Sequence, residues 1–311
     1  MQTLTLACHA MATRFELVLH GENESNLRAA GEEALAEVER LENQLSLYRP
    51  GSEIAQLNAR AAHEPVRVSP EVFALLQHAA QLTAETGGAF DITIAPLVRC
   101  WGFMGAGGRM PQPEEVLLAR EMVGMDKVWF DIGARTIRFA RSGVMLDLGA
   151  IGKGYAVERA GEILREAGVM SALLHGGTST ISAIGHPPEA DAWRVAVDIP
   201  VSGGNTGLRR EFQLRDASLS VSAVWGRQFQ SGDKQFGHVL DPRTGQPVTT
   251  AVLAAVILPT ATETDALSTA LLTLGMTGQK QISTLRAGMQ TFVVNANGDS
   301  QFWPVAARCS T

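Results

Sequence analysis

Apolar residues recur along this chain in two rhythms, and the changes between them mark its elements. In Thr13–Gly21, TRFELVLHG, they alternate with polar residues, the period of a half-buried strand. MQTLTLACHA before it reads as a first strand. From Glu22 to Leu45 the rhythm becomes helical, with Leu35, Val38, Leu41 and Leu45 on one face. SLYRPGSEIAQLN reads as a turn at Pro50-Gly51 and then a short helix. Ser69-Pro70 is an N-cap followed by proline at the first helical position, which predicts a helix ending at Gly87-Gly88. Gly102 to Pro113 reads as an exposed loop. Strands are predicted near Lys127–Phe130, Ile137–Phe139 and Val144–Leu148. Ala156, Val157, Ala160, Ile163, Leu164 and Ala167 then form an apolar stripe that Gly168 stops. Val169–Leu174 returns as a strand, and Trp193–Leu219 is strand-rich. AVLAAVIL, from Ala251 to Leu258, predicts a buried strand before a helix starting near Thr264. Helices and strands alternate irregularly, with no repeat and no obvious linker. The expected class is α+β (mixed α/β).

Composition narrows the picture. The 311 residues are 45% hydrophobic and 19% charged, the balance of an ordinary globular chain. A net charge of −6 argues against a nucleic-acid binder, which carries a basic face. Cys8, Cys100 and Cys309 are widely spaced with no C-x-x-C, which argues against a disulfide framework or a structural zinc site. The longest apolar run, Ala251 to Leu258, is too short to cross a bilayer, so no transmembrane segment is expected. Ala7 before Cys8 faintly suggests a lipoprotein signal, but the segment lacks a basic start. The expected location is cytoplasmic, or periplasmic if a leader has been lost.

The stretch LDLGAIGKGYAVERA, Leu146 to Ala160, poses the sharpest chemical question. A phosphate loop would need glycine where Asp147 stands and a hydroxyl where Gly154 stands. Backbone amides at a helix start, with Lys153 beside them, would still attract an anion. The bland alternative is a glycine-rich turn with a surface lysine. Asp265 and Thr269 share a helix face and offer hard oxygens to Mg²⁺, or simply cap the helix. His238 and Asp241 in GHVLDPRTGQPV suit acid–base chemistry, or a rigid turn with an exposed histidine. Phe90, Trp101 and Tyr48 are candidates for stacking on a flat ligand, or for the core.

These blocks gain meaning from their order. Met11-Ala12-Thr13 leads, then Ser46 to Pro50 with Ser52 and Asn58, then Gly88-Ala89-Phe90-Asp91 with Pro96 and Trp101-Gly102-Phe103. Asp147 to Ala156, Gly176-Gly177, His238 to Gly245 and Asp265 to Ala270 follow. From about residue 8 to residue 297 the series resembles the ApbE family of FAD:protein FMN transferases. The resemblance implies one domain over residues 1–311, with two intimately connected lobes and FAD in the cleft between them. It implies Mg²⁺-dependent cleavage of FAD, release of AMP, and attachment of FMN to a threonine or serine of an acceptor flavoprotein. On that resemblance, Met11, Tyr48, Ala89, Phe90, Asp91, Asp147, Lys153 and Val239 would contact FAD, the substrate. The Ala150 carbonyl, Asp265 and Thr269 would hold Mg²⁺. His238 or Asp241 would position or deprotonate the acceptor hydroxyl, and stacking on Tyr48 or Phe90 would hold the flat ring.

Two departures from the family pattern stand out. Ala12 replaces a common glycine. In SVSAVWG, Ala223 occupies a glycine position and Trp225 a tyrosine position. A glycine needed for positive φ would resist alanine, so this loop is expected to differ in shape or in its grip on FAD or acceptor. An FAD pyrophosphatase and a non-catalytic FAD-binding protein therefore remain alternatives to the transferase.

Overall fold

The structure, a computed structural model, describes residues 1–105, 107–199, 208–232 and 234–304. Cys309 lies outside them. The chain runs β1 (Gln2–Ala10), β2 (Thr13–Gly21), α1 (Glu24–Leu45), α2 (Glu53–Arg60), β3 (Val66–Arg67), α3 (Pro70–Glu85), α4 (Ala95–Cys100) and α5 (Pro113–Arg120). It continues with β4 (Val128–Asp131), β5 (Thr136–Phe139), α6 (Gly152–Glu166), β6 (Ser171–Gly176), β7 (Thr180–Ile184), β8 (Trp193–Ile199) and β9 (Leu208–Leu214). Last come β10 (Ser218–Ala223), β11 (Gln228–Ser231), β12 (Lys234–Gly237), β13 (Leu253–Leu258), α7 (Ala261–Ser283), β14 (Gln290–Val294) and β15 (Ser300–Trp303).

Eight strands form one sheet in the order β1-β2-β6-β7-β10-β13-β14-β15. Every neighbouring pair is antiparallel. Mixed helix and sheet is the expected class. Helices α1, α6 and α7 cover one face, and the β8–β9 ribbon covers part of the other. This sandwiching explains the uninterrupted apolar run of β13. Ala254, Val256 and Leu258 enter the helix-side core, while Leu253, Ala255 and Ile257 enter the ribbon-side core. A third apolar cluster joins Leu97, Trp101, Phe103, Val116 and Leu240, away from the sheet.

Helix α1 shows how local chemistry sets an element. Asn23 caps it by accepting the Asn26 amide at 3.1 Å, and Leu27, Ala34, Leu35, Val38, Leu41 and Leu45 bury one stripe. Gly31 lets the helix settle onto β1, since a Cβ there would lie 2.5 Å from Leu6 Cδ1. Among the described residues, no helix is long and apolar enough to cross a membrane.

Three expectations need correction. Val144–Leu148 forms no strand, because the Asn58 side chain takes the place of a neighbouring strand. Its Oδ1 accepts the Leu146 N–H at 2.7 Å and its Nδ2 donates to the Leu146 carbonyl at 2.9 Å. The last helix begins at Ala261, three residues before Thr264, and is broken at Gly275, whose φ of 66° no helix allows. Ala167 lies outside the buried stripe of α6, as its exposed C-cap.

The β1–β2 hairpin turns on Met11 and Ala12, with φ of 50° and 58°. A two-residue turn of this kind requires left-handed backbone at both central positions. Alanine adopts it at a penalty that glycine does not carry. Ala12→Gly is expected to raise stability by about 0.5–1 kcal/mol, net of glycine's greater freedom when unfolded, as read by denaturant melting.

Candidate active site

The site is built where α6 and α7 start. Asp265, only 4% exposed, accepts the Gly154 N–H through Oδ2 at 2.9 Å. That N–H belongs to the first turn of α6 and has no partner within its own helix. A carboxylate there also gains from the positive end of the helix dipole. The approach is possible only because residue 154 is glycine. A Cβ there would sit 2.3 Å from the Ala261 carbonyl oxygen and 2.7 Å from Asp265 Cβ. A second tie runs from the Thr262 N–H to Glu158 Oε2 at 2.8 Å.

One turn further along α7, Thr269 Oγ1 donates to the Asp265 carbonyl at 3.3 Å and lies 3.1 Å from Ser222 Oγ on β10. Ser222 Oγ also bonds Ser268 Oγ at 2.9 Å. Asp265, Ser268, Thr269 and Ser222 thus form a set of hard oxygens. Among the described residues, the Gly154 amide is the only hydrogen-bond partner of the Asp265 carboxylate. No group of three or more His, Cys, Asp or Glu side chains gathers among those residues. A cation here would rest on one carboxylate, neutral oxygens and a ligand's phosphates, which is the habit of Mg²⁺. Ala150 stands in the turn two residues before α6.

The same turn begins at Asp147. Its N–H donates to the Ile92 carbonyl at 2.7 Å, and its Oδ1 accepts the Gly149 N–H at 2.8 Å. Burial pushes the Asp147 carboxyl upward, against the Gly149 amide and the charges of Lys153 and Arg227. Lys153 Nζ donates to the Gly149 carbonyl at 3.2 Å. Tyr48 faces this group and is 61% exposed. The Ser46 hydroxyl, accepting the Tyr48 N–H at 3.2 Å, and the Arg49–Glu42 ion pair at 2.7 Å hold its loop. Burial and the Asp147 charge raise the Tyr48 hydroxyl pKa, with Arg227 opposing them.

His238 approaches from the β11–β12 hairpin. Its ring meets Phe103 edge-on with centroids 6.4 Å apart, and its buried Nδ1 has no hydrogen-bond partner among the described residues. Burial lowers its pKa, the Arg227 backbone opposes that shift, and the charges of Arg227 and Lys153 add to it. The imidazole is therefore neutral near pH 7.

The other expected residues divide. Asp241 does not share the freedom of His238. Arg243 grips its carboxylate through Nε at 2.9 Å and Nη2 at 2.8 Å, and the Arg243 amide adds a third bond at 2.9 Å. It is the organiser of a turn, and Gly245 donates to its carbonyl at 2.7 Å. Phe90 is 1% exposed and belongs to the main core, so its ring offers no stacking face. Tyr48 alone of the two does. Ala89 is equally buried. Asp91 Oδ1 accepts the Thr93 N–H at 2.8 Å and the Thr93 hydroxyl at 2.6 Å, and burial raises its pKa. A cavity of about 630 Å³ opens beside Asp91, lined also by Gly88, Lys127, Arg120 and Arg243. Met11 and Val239 are half-buried against the main core. Ala223 ends β10 opposite Leu253 without positive φ, so alanine is at ease there. The left-handed position in this loop is Gly226, at φ 138°. Two participants escaped the sequence reading: Ser222 and Arg227.

This arrangement of sheet and helices is that of the ApbE proteins. The structure superimposes on the ApbE protein of Thermotoga maritima with a TM-score of 0.86, at 26% identity over 96% of both chains. It superimposes on the apo flavinyl transferase ApbE of Pseudomonas stutzeri with a TM-score of 0.83, at 29% identity over 97% of this chain and 93% of that one. The chain belongs to the ApbE family, whose model matches residues 11–299. Among its relatives, the FAD:protein FMN transferase of Haemophilus influenzae is 28% identical over 264 residues, 81% of this chain and 76% of the relative. The enzyme of the same name from Klebsiella pneumoniae is 26% identical over 295 residues, 93% and 83% of the two chains.

Gly154→Ala should force α6 and α7 apart at their starts. The expected loss is about 2–4 kcal/mol of stability in denaturant melts, since the clash is with backbone that cannot step aside.

Proposed function

We propose that this protein transfers FMN from FAD to a threonine or serine of an acceptor flavoprotein, in a Mg²⁺-dependent reaction that releases AMP. The observation that carries this reading is the junction of α6 and α7, where the buried Asp265 accepts the Gly154 N–H and Thr269 lies one turn along the same helix, with His238 Nδ1 buried and without a hydrogen-bond partner among the described residues. Family membership across residues 11–299 and the names of the relatives support it.

Phosphoryl transfer asks a protein chiefly to position an anion and neutralise its developing charge. In this reading FAD lies along the cleft, its flat ring against the exposed Tyr48 and its pyrophosphate toward Lys153 and the first turn of α6. The acceptor hydroxyl oxygen bonds to the FMN phosphorus while the bond from that phosphorus to the AMP oxygen breaks. His238, already neutral, accepts the hydroxyl proton, and AMP leaves with the electron pair. Asp241, held by Arg243, fixes the turn from Asp241 to Gln246 that follows His238. Asp265 and Thr269, with the Ala150 carbonyl, would hold Mg²⁺, which when bound supplies positive charge to the phosphate oxygens.

Incubation with FAD, Mg²⁺ and an acceptor domain should give a covalent flavin adduct by mass spectrometry. Free FMN and AMP without adduct would make the protein an FAD pyrophosphatase, and unchanged FAD would make it a flavin-binding protein. Asp265→Ala is expected to abolish turnover while weakening FAD binding less. Turnover retained in that variant would remove the metal assignment.

His238 also sets a pH signature. A lowered pKa keeps the ring neutral as pH falls to the ordinary histidine value of about 6.5, so the acidic limb of kcat/KM should lie below it. Stability has the same sign, because the unfolded chain takes up the proton first and gains on the native state below that pH. His238→Gln should lower kcat by about 10²–10⁴-fold and erase the limb.

A further inference from the structure

Among the described residues, Arg227 and Lys153 are cations without carboxylate partners. Among the described residues neither forms an ion pair, whereas Arg243 and Arg286 are each locked to acids. Lys153 is satisfied only by the Gly149 carbonyl, and Arg227 Nη1 only by the Phe103 carbonyl at 3.3 Å. Arg227 lies next to His238, whose N–H its carbonyl accepts, and its Nη1 reaches the carbonyl of Phe103, the residue whose ring meets the His238 imidazole. Lys153, in the first turn of α6, donates to the carbonyl of Gly149, whose N–H is held by Asp147 Oδ1. Neither cation is committed to a carboxylate among the described residues, and both act on the charge states of Asp147 and His238.

The position of Arg227 is built, not incidental. Its carbonyl accepts the His238 N–H at 3.0 Å, just outside the ladder in which Gln228 pairs with Gly237. The hairpin is anchored by Phe229 stacked on Phe236, with ring centroids 5.3 Å apart, and both lie on Trp101. Trp101 in turn donates its indole N–H to the Gly245 carbonyl at 2.8 Å. Before Arg227 the chain turns through Gly226, at φ 138°, where a Cβ would come 3.4 Å from His238 Cε1. Arg227 and His238 therefore move as one unit. The guanidinium, held by a single neutral acceptor and open to solvent, keeps most of its five N–H donors available.

We propose that Arg227 is a phosphate-binding residue that works with Lys153 as a two-cation clamp for the pyrophosphate of FAD. Resting on the transferase reading of this site, the proposal adds a specific partner for the substrate. A guanidinium takes phosphate oxygens in bidentate fashion, while the ammonium of Lys153 acts as a point charge. The ligand class is a pyrophosphate diester. Because Arg227 shares a backbone bond with His238, binding the anion also sets the distance from phosphorus to base.

The test compares Arg227→Met and Arg227→Lys with the wild-type full chain, reading FAD affinity in Mg²⁺ by flavin fluorescence at low and high salt. Arg227→Met should bind FAD about tenfold or more weakly at low salt and lose part of the wild-type salt dependence. Arg227→Lys should recover part of the affinity, and KM for FAD should rise more than kcat falls. Unchanged affinity in Arg227→Met would overturn the clamp. So would a loss of equal size at every salt concentration that lysine does not repair, because that is the mark of a collapsed hairpin. The broader reading fails differently, in a wild-type protein that binds FAD and gives no adduct, and the affinity comparison survives that result.

Discussion

The contact between the Asp265 carboxylate and the Gly154 amide is the constraint on which this site depends. It joins the starts of two helices that the sequence keeps far apart, and it can do so because Gly154 has no side chain. The carboxylate satisfies an amide that α6 leaves unpaired. It does so while remaining buried, with its second oxygen unclaimed by any described residue. The turn that precedes α6 then has one place to lie, and that turn carries Asp147 and Ala150. The hydroxyls of Ser222, Ser268 and Thr269 complete the surroundings by tying α7 to the central strands.

A second unit faces this one. The β11–β12 hairpin rests on the aromatic cluster around Trp101 and Phe103, outside the main sheet, and carries Arg227 and His238 side by side. Burial and two neighbouring cations lower the pKa of His238. The same two cations lower the penalty that burial places on the Asp147 charge. One arrangement of positive charge therefore acts in opposite directions on the two groups, disfavouring charge on the imidazole and favouring it on the carboxylate.

Much of this was legible in the sequence, for identifiable reasons. Helices α1 and α3 announced themselves through period and caps, and β13 through an apolar run that only a doubly covered strand needs. The blocks around Asp147, His238 and Asp265 stood out because glycines, turn residues and paired oxygens cluster there. Val144–Leu148 misled because its apolar residues mimic a strand while Asn58, 88 residues away, supplies the pairing. Phe90 and Tyr48 looked alike as aromatics, and only packing shows that one is core and the other open. Asp241 and His238 looked alike as acid–base candidates until Arg243 proved to occupy the carboxylate. Arg227 and Ser222 carried no local signal, since an arginine and a serine are ordinary anywhere until their neighbours are known.

The span of the Asp265–Gly154 bond has a consequence for how the molecule comes into being. Its partners are 111 residues apart, and the chain between them supplies β6, β7, β10 and β13. Closing so long a loop is entropically unfavourable until the intervening strands have paired. During synthesis Tyr48, Asp147 and Lys153 emerge well before Asp265 does. A nascent chain therefore displays Tyr48, Asp147 and Lys153 without Asp265, and the two parts of the site meet only when most of the sheet is in place. Assembly of the sheet is in this sense the event that completes the candidate site.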